Sequence, residues 1–289
     1  MANVCDNIYT PFSFSCPSNP DGLRKSLIKF GQIYPIIISE IEGKESIIDG
    51  FRRFQILKEL NIEMVFYKLP SLSPSEALNI FLEINTSYRT FNVIEKIRIS
   101  RFITQNELKT EKELISKAEI GNITENSRLY DFVENFSEDE KKIILEKQLT
   151  PVLISRLYKI SLRADITSLL NLLHKTRLTH QQVRELITDI YILSMQGQDI
   201  RKITDKISNL SFDEIRKEIK SLKNPVLERM ECDFRSFKER FKKISLIPPS
   251  NFEGDKYSIR TDFSSANELE DIINEIRCLR EEWKKNPVL

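Results

Sequence analysis

The apolar positions change period along the chain. Leu23, Leu27 and Ile28 repeat at helical spacing, and the run stops at Phe30-Gly31, where glycine commonly closes a helix. Pro35-Ile36-Ile37-Ile38-Ser39 is a β-branched run that predicts a strand, Glu42-Gly43-Lys44 a turn, and Ser46-Ile47-Ile48 a second strand ending at Asp49-Gly50. Phe51, Phe54, Ile56, Leu57 and Leu60 then form the stripe of a helix, and Met64-Val65-Phe66-Tyr67 reads as a third strand. Ser73-Pro74-Ser75-Glu76 has the marks of a helix start: a serine cap, proline in the first turn and an acid near the positive end of the dipole. The strands run about four to six residues, so the sheet is small.

From about residue 92 to 223 the period is helical almost throughout, broken at Lys109-Thr110, Gly121-Asn122, Asn135-Phe136-Ser137, Leu149-Thr150-Pro151, Arg177-Leu178-Thr179 and Gln196-Gly197. Thr110 before Glu113, Ser137 before Glu140 and Thr179 before Gln182 have capping-box spacing. Beyond Asn224 the character changes again. A basic amphipathic helix is expected around Phe234 to Phe241, a loop at Pro248-Pro249-Ser250 and a strand over Tyr257 to Phe263. A final helix carries Leu269, Ile272, Ile273, Ile276, Leu279 and Trp283. The fold class is multi-domain α+β. It comprises a small mixed-sheet domain over 1–104, an all-α domain of helix-turn-helix type over 105–196, and a helical linker with a small strand-helix element over 197–289.

Composition narrows the picture. The 289 residues are 40% hydrophobic and 30% charged with only 7 glycines, which excludes collagen-like and disordered classes. No stretch reaches the roughly 18–20 apolar residues that cross a bilayer. Met1 to Pro11 lacks a basic segment followed by an apolar one, so the expected compartment is the cytoplasm, with no membrane partner. Cys5, Cys16, Cys232 and Cys278 are scattered and far from His174 and His180, which argues against a zinc site or a disulfide framework. The net charge of +1 carries no global basic excess, so any nucleic-acid contact is local.

Three segments are candidates for chemistry. Asp49-Gly50-Phe51-Arg52-Arg53-Phe54 lies where a strand gives way to a helix, so backbone N–H groups and two guanidiniums can face an anion; a tight turn with solvated arginines uses the same residues. Arg235, Lys238, Arg240, Lys242 and Lys243, interleaved with Phe234, Phe237 and Phe241, form either a nucleic-acid strip or a helix that buries phenylalanines and solvates lysines. A helix over Ile123 to Asn135, after one at Glu111–Glu119 and a turn at Ile120-Gly121-Asn122, occupies the reading position of a helix-turn-helix. It offers Arg128 alone against Glu125, Asp131 and Glu134.

The first of these segments, taken with two other stretches, resembles the successive boxes of the ParB N-terminal domain: Ser26 to Ile38, Ile48 to Phe54, and Asn85-Thr86-Ser87-Tyr88-Arg89-Thr90-Phe91-Asn92-Val93-Ile94-Glu95-Lys96. Phe136 to Pro151 and Leu178 to Glu185 resemble the helical DNA-binding domain of ParB partition proteins, and Tyr257 to Phe263 with Asn267 to Ile273 the dimerisation domain. The resemblance implies a nucleoid-associated homodimer that loads on DNA in chromosome partition, works with a partition ATPase, and binds CTP with Mg²⁺ in a gating N-terminal domain. Carried over by position, Gly31, Gln32 and Pro35 lie near the base, Gly50, Arg52 and Arg53 near the phosphates, and Asn85 on the metal and phosphate side.

The sequence departs from the family pattern where a Glu and an Arg are usual: Ile84 and Tyr88 stand there, with Glu83 and Arg89 each displaced by one. Isoleucine cannot supply the oxygen that a hard cation needs, so CTP turnover is at most weak. A sulfiredoxin-type reductase, which shares the N-terminal fold, needs a cysteine where Phe51 and Arg52 stand. The alternative reading is an interaction or regulatory module that keeps the fold but has lost DNA binding and CTP hydrolysis, in keeping with the acidic stretch 105–136.

Overall fold

The computed structural model describes residues 8–16 and 21–285, so Cys5 and most of the segment on which the leader argument rests lie outside the described residues. These residues form two compact units, one running to Ser194 and the other starting at Met195. Among them no helix is long and apolar enough to cross a membrane.

The first unit opens with α1 (Asp21–Phe30), then β1 (Ile36–Ile41), β2 (Lys44–Asp49), α2 (Phe51–Glu59), β3 (Phe66–Lys68), α3 (Pro74–Thr86) and α4 (Val93–Gln105). Strand β1 is central, antiparallel to β2 and parallel to β3, which makes the small mixed sheet the sequence predicts. β1 alternates faces. Ile36 and Ile38 pack with Leu27, Ile47, Phe54, Ile56 and Leu57 on one side. Ile41 and Ile48 join Phe81 and Leu82 of α3, Ile99 of α4 and Phe91 between those helices on the other. Both faces of the sheet are therefore covered by helices, which is why its strands read as continuous isoleucine runs.

The helices α5 (Lys112–Lys117), α6 (Ile123–Ser127), α7 (Tyr130–Glu134), α8 (Glu138–Glu146), α9 (Pro151–Ser161), α10 (Thr167–Lys175) and α11 (His180–Met195) follow. Leu114, Ala118 and Ile120 belong to the same core cluster as Phe81 and Phe91, so apolar packing continues across residue 104. The expected continuous helix over Ile123 to Asn135 is not formed. Arg128 N–H bonds to the Glu125 carbonyl at 3.2 Å and Leu129 N–H to the Asn126 carbonyl at 3.0 Å, and these tight i→i−3 bonds redirect the chain between α6 and α7. The redirection buries Leu129 and Val133. Thr110 does not cap α5, whose N-cap is Glu111.

The second unit contains α12 (Ile200–Ile207), α13 (Phe212–Lys223), α14 (Pro225–Lys238), β4 (Ser245–Ile247), β5 (Ser258–Arg260) and α15 (Ala266–Lys285). The basic helix ends at Lys238, earlier than expected, with Phe241 in the turn beyond it, and the last strand shrinks from Tyr257–Phe263 to Ser258–Arg260, paired antiparallel with β4. Phe234, Phe237 and Phe241 are buried with Ile244, Leu246, Ile272 and Leu279.

Candidate functional site

The site begins at a turn. Strand β2 ends at Asp49, and Gly50 holds the left-handed conformation, φ 93° and ψ 18°, as the N-cap of α2. Glycine is favoured there because a side chain at that φ is strained, and a Cβ would sit 2.8 Å from Arg53 Nη2, which would have to shift. Helix α2 has no side-chain cap and no acid in its first turn. By contrast α3, α4, α8 and α13 each open with a complete capping box. The first N–H groups of α2 and the positive end of its dipole are thus left without an internal carboxylate.

Around this turn lies a cavity of about 190 Å³ lined by Gly50, Arg52, Arg53, Asn85, Tyr88 and Arg89, with Asp49 as its one carboxylate among the described residues. Each guanidinium is held in place. Arg53 donates to the Pro35 carbonyl at 3.2 Å and to Asp49 Oδ2 at 3.1 Å. Arg52 donates to Glu95 Oε1 at 3.4 Å, and Arg89 to Glu95 Oε2 at 2.8 Å while lying over the Phe91 ring. Glu95, 1% exposed, also accepts the Asn92 N–H at 3.1 Å in the capping box of α4. A buried carboxylate between two arginines fixes both without entering the cavity lining. Burial pulls the Arg52 guanidinium below its usual value, and the nearby Arg89 charge adds to this against the opposing pull of Glu95.

Asn85 is the second hub. Its Nδ2 donates to the Phe81 carbonyl at 2.9 Å and to Asp49 Oδ1 at 3.3 Å, and its Oδ1 accepts from Tyr88 Oη at 3.2 Å and Arg89 Nε at 2.9 Å. Burial, with the Asp49 charge, pushes the Tyr88 phenol up. The Nε–H groups of Arg52 and Arg53 are buried and find no acceptor. Unsatisfied buried donors on two cavity-lining residues are costly.

The structure brings Gly50, Arg52, Arg53 and Asn85 together, with the Pro35 carbonyl behind Arg53. Gly31 and Gln32 do not line the cavity. Gly31 terminates α1 with φ 68°, and Gln32 clamps Val65 at both ends of its amide, donating to the Val65 carbonyl at 2.7 Å and accepting the Val65 N–H at 2.8 Å. Glu83 is exposed and paired with Lys117 of α5 at 2.9 Å. Sequence reasoning gave no role to Asp49 or Glu95 and treated Arg89 as out of place. The Asn85-to-Arg89 spacing of four and the Asn92-x-x-Glu95 box are local signals for parts of the network, whereas the Arg52–Glu95 contact joins residues 43 apart.

The candidate nucleic-acid residues stay apart from this cavity. Arg128 is exposed at the break between α6 and α7. Arg235 and Lys238 lie on α14. Arg240 pairs with Glu282 at 3.5 Å and Lys243 with Asp271 at 2.5 Å, while the Lys242 and Lys243 N–H groups both bond to Glu275. With the phenylalanines in the core, the aromatic side chains of this segment are not offered as stacking platforms.

No family model matches the chain. Over 252 residues it is 22% identical to the nucleoid occlusion protein of Halalkalibacterium halodurans, a match that covers 84% of this chain and 88% of that protein. The similarity supports a ParB-like relationship at the level of the family and no finer.

Proposed function

We propose that this protein is a ParB-like, DNA-associated protein of the nucleoid, acting in partition or a related DNA-linked process, whose N-terminal cavity binds a nucleoside triphosphate, CTP by the resemblance. The observation that carries the reading is the convergence of the Gly50 turn, Arg52, Arg53 and Arg89 on one cavity, in a chain that matches a nucleoid occlusion protein over most of its length. Uncapped N–H groups beside guanidiniums make a phosphate site by elementary electrostatics. Turnover is slow or absent in this reading, because Ile84 is apolar and Glu83 is engaged by Lys117. A homodimer formed through the second unit fits the exposed Ile247, Ile259, Phe263 and Ile273 there, and a partition ATPase is the expected protein partner.

The broken helix over 123–134 favours a second reading, an interaction module that has given up DNA contact, since Arg128 is the one basic residue on α6, α7 or their junction. Gel retardation of duplex DNA over a salt series, with and without CTP, separates the two. The DNA-associated reading expects retardation at low salt that falls steeply as salt rises. Absence of retardation at low salt in both conditions supports the module.

A further inference from the structure

The donor set of the cavity suits an anion and does not suit a divalent cation. Mg²⁺ needs near-octahedral oxygen ligands, and protein sites supply them as carboxylates beside the substrate's phosphates. Here the oxygen at the expected metal position, Asn85 Oδ1, already accepts two hydrogen bonds, one of them from a guanidinium. These fill both lone pairs of an amide oxygen. Asp49 is held by Arg53 through one oxygen and by Asn85 through the other. Ile84 and the Lys117-bound Glu83 add no ligand. Among the described residues no three His, Cys, Asp or Glu side chains stand together to hold an ion. Among the described residues three guanidiniums against one carboxylate line the cavity, so a bare cation is repelled.

The same features favour a highly charged anion on its own. Arg89, displaced by one position from the family pattern, lines the cavity with Arg52 and Arg53 and donates to Asn85. We infer that the cavity binds a polyphosphate without a divalent metal, the Arg89 guanidinium standing beside Asn85 and supplying the positive charge that Mg²⁺ brings in the family pattern. This inference rests on the triphosphate reading above, and the test keeps the two apart.

Calorimetric titration of CTP and of inorganic tripolyphosphate into the full chain is compared in EDTA and in excess Mg²⁺. The expected result is binding in EDTA with an affinity within threefold of that in Mg²⁺, or tighter, and no heat from Mg²⁺ alone. Binding that weakens at least tenfold in EDTA overturns the inference and leaves the triphosphate reading standing. No binding of either ligand in either buffer overturns both. Arg89→Ala should weaken tripolyphosphate binding in EDTA at least tenfold, with Arg89→Lys recovering part of the loss. Unchanged affinity in Arg89→Ala, with unfolding monitored to confirm the fold, removes Arg89 from the metal's role.

Discussion

Gly50 and Glu95 carry the site through different physics. Gly50→Ala forces a side chain into the left-handed region, at a cost of about 1–2 kcal/mol. It also crowds the Arg53 guanidinium, which must shift from its place between the Pro35 carbonyl and Asp49. Urea unfolding should show the lower midpoint, and triphosphate affinity should fall with it. Glu95→Ala should be worse for stability, about 3 kcal/mol, because removing the buried partner leaves Arg52 and Arg89 facing each other without compensation. If Glu95→Ala unfolds at the wild-type midpoint, the hub assigned to Glu95 is wrong. The turn was legible in the sequence because a strand run, a glycine and a helical stripe meet at Asp49 to Phe51. Glu95 was not, since its partners lie 43 and 6 residues away and only the fold brings the first of them close.

Elements are joined by a second ion cluster. Arg98 of α4 donates to Glu134 of α7 at 2.6 and 3.0 Å, and Lys141 of α8 stands 3.6 Å from the same carboxylate. Burial pushes the Glu134 carboxyl up, but the Arg98 hydrogen bonds and the Arg98 and Lys141 charges outweigh it and hold the group below the usual carboxylate range. A carboxyl lowered by folding contributes stability that is complete above its unfolded value and is lost as pH falls through the lowered one. Glu134→Gln should therefore be less stable than the parent at pH 7, and the gap in urea midpoint should narrow below about pH 4. A gap that stays constant to pH 3 would contradict the assignment.

Helix starts were readable where the cap is local. Ser73, Ser137 and Thr179 each exchange hydrogen bonds with the acid or amide three residues on. The break between α6 and α7 was not readable. It places Leu129 and Val133 in the core, a demand of tertiary packing that the residue pattern of 123–135 does not display.

At the scale of the molecule the two units invite separate tests. Ile247, Ile259, Phe263 and Ile273 expose apolar surface in the second unit, and a dimer would cover it. Light scattering should give twice the chain mass of 33.9 kDa, with Ile259→Glu returning the single-chain value; a monomer for the parent chain would end the dimer reading. Fold class and sheet type were legible from periodicity, whereas the continuation of packing beyond residue 104 depends on Leu114 and Ile120 joining the core cluster that holds Phe81, which no local pattern announces. The arginine-lined cavity is central to the function proposed for the protein. The most direct test is calorimetry of the four nucleoside triphosphates on the parent chain and on Arg52→Ala at low salt. The parent should bind, CTP most strongly, and the affinity should fall at least tenfold in Arg52→Ala; no binding by the parent, or equal binding by both proteins, would contradict the triphosphate site.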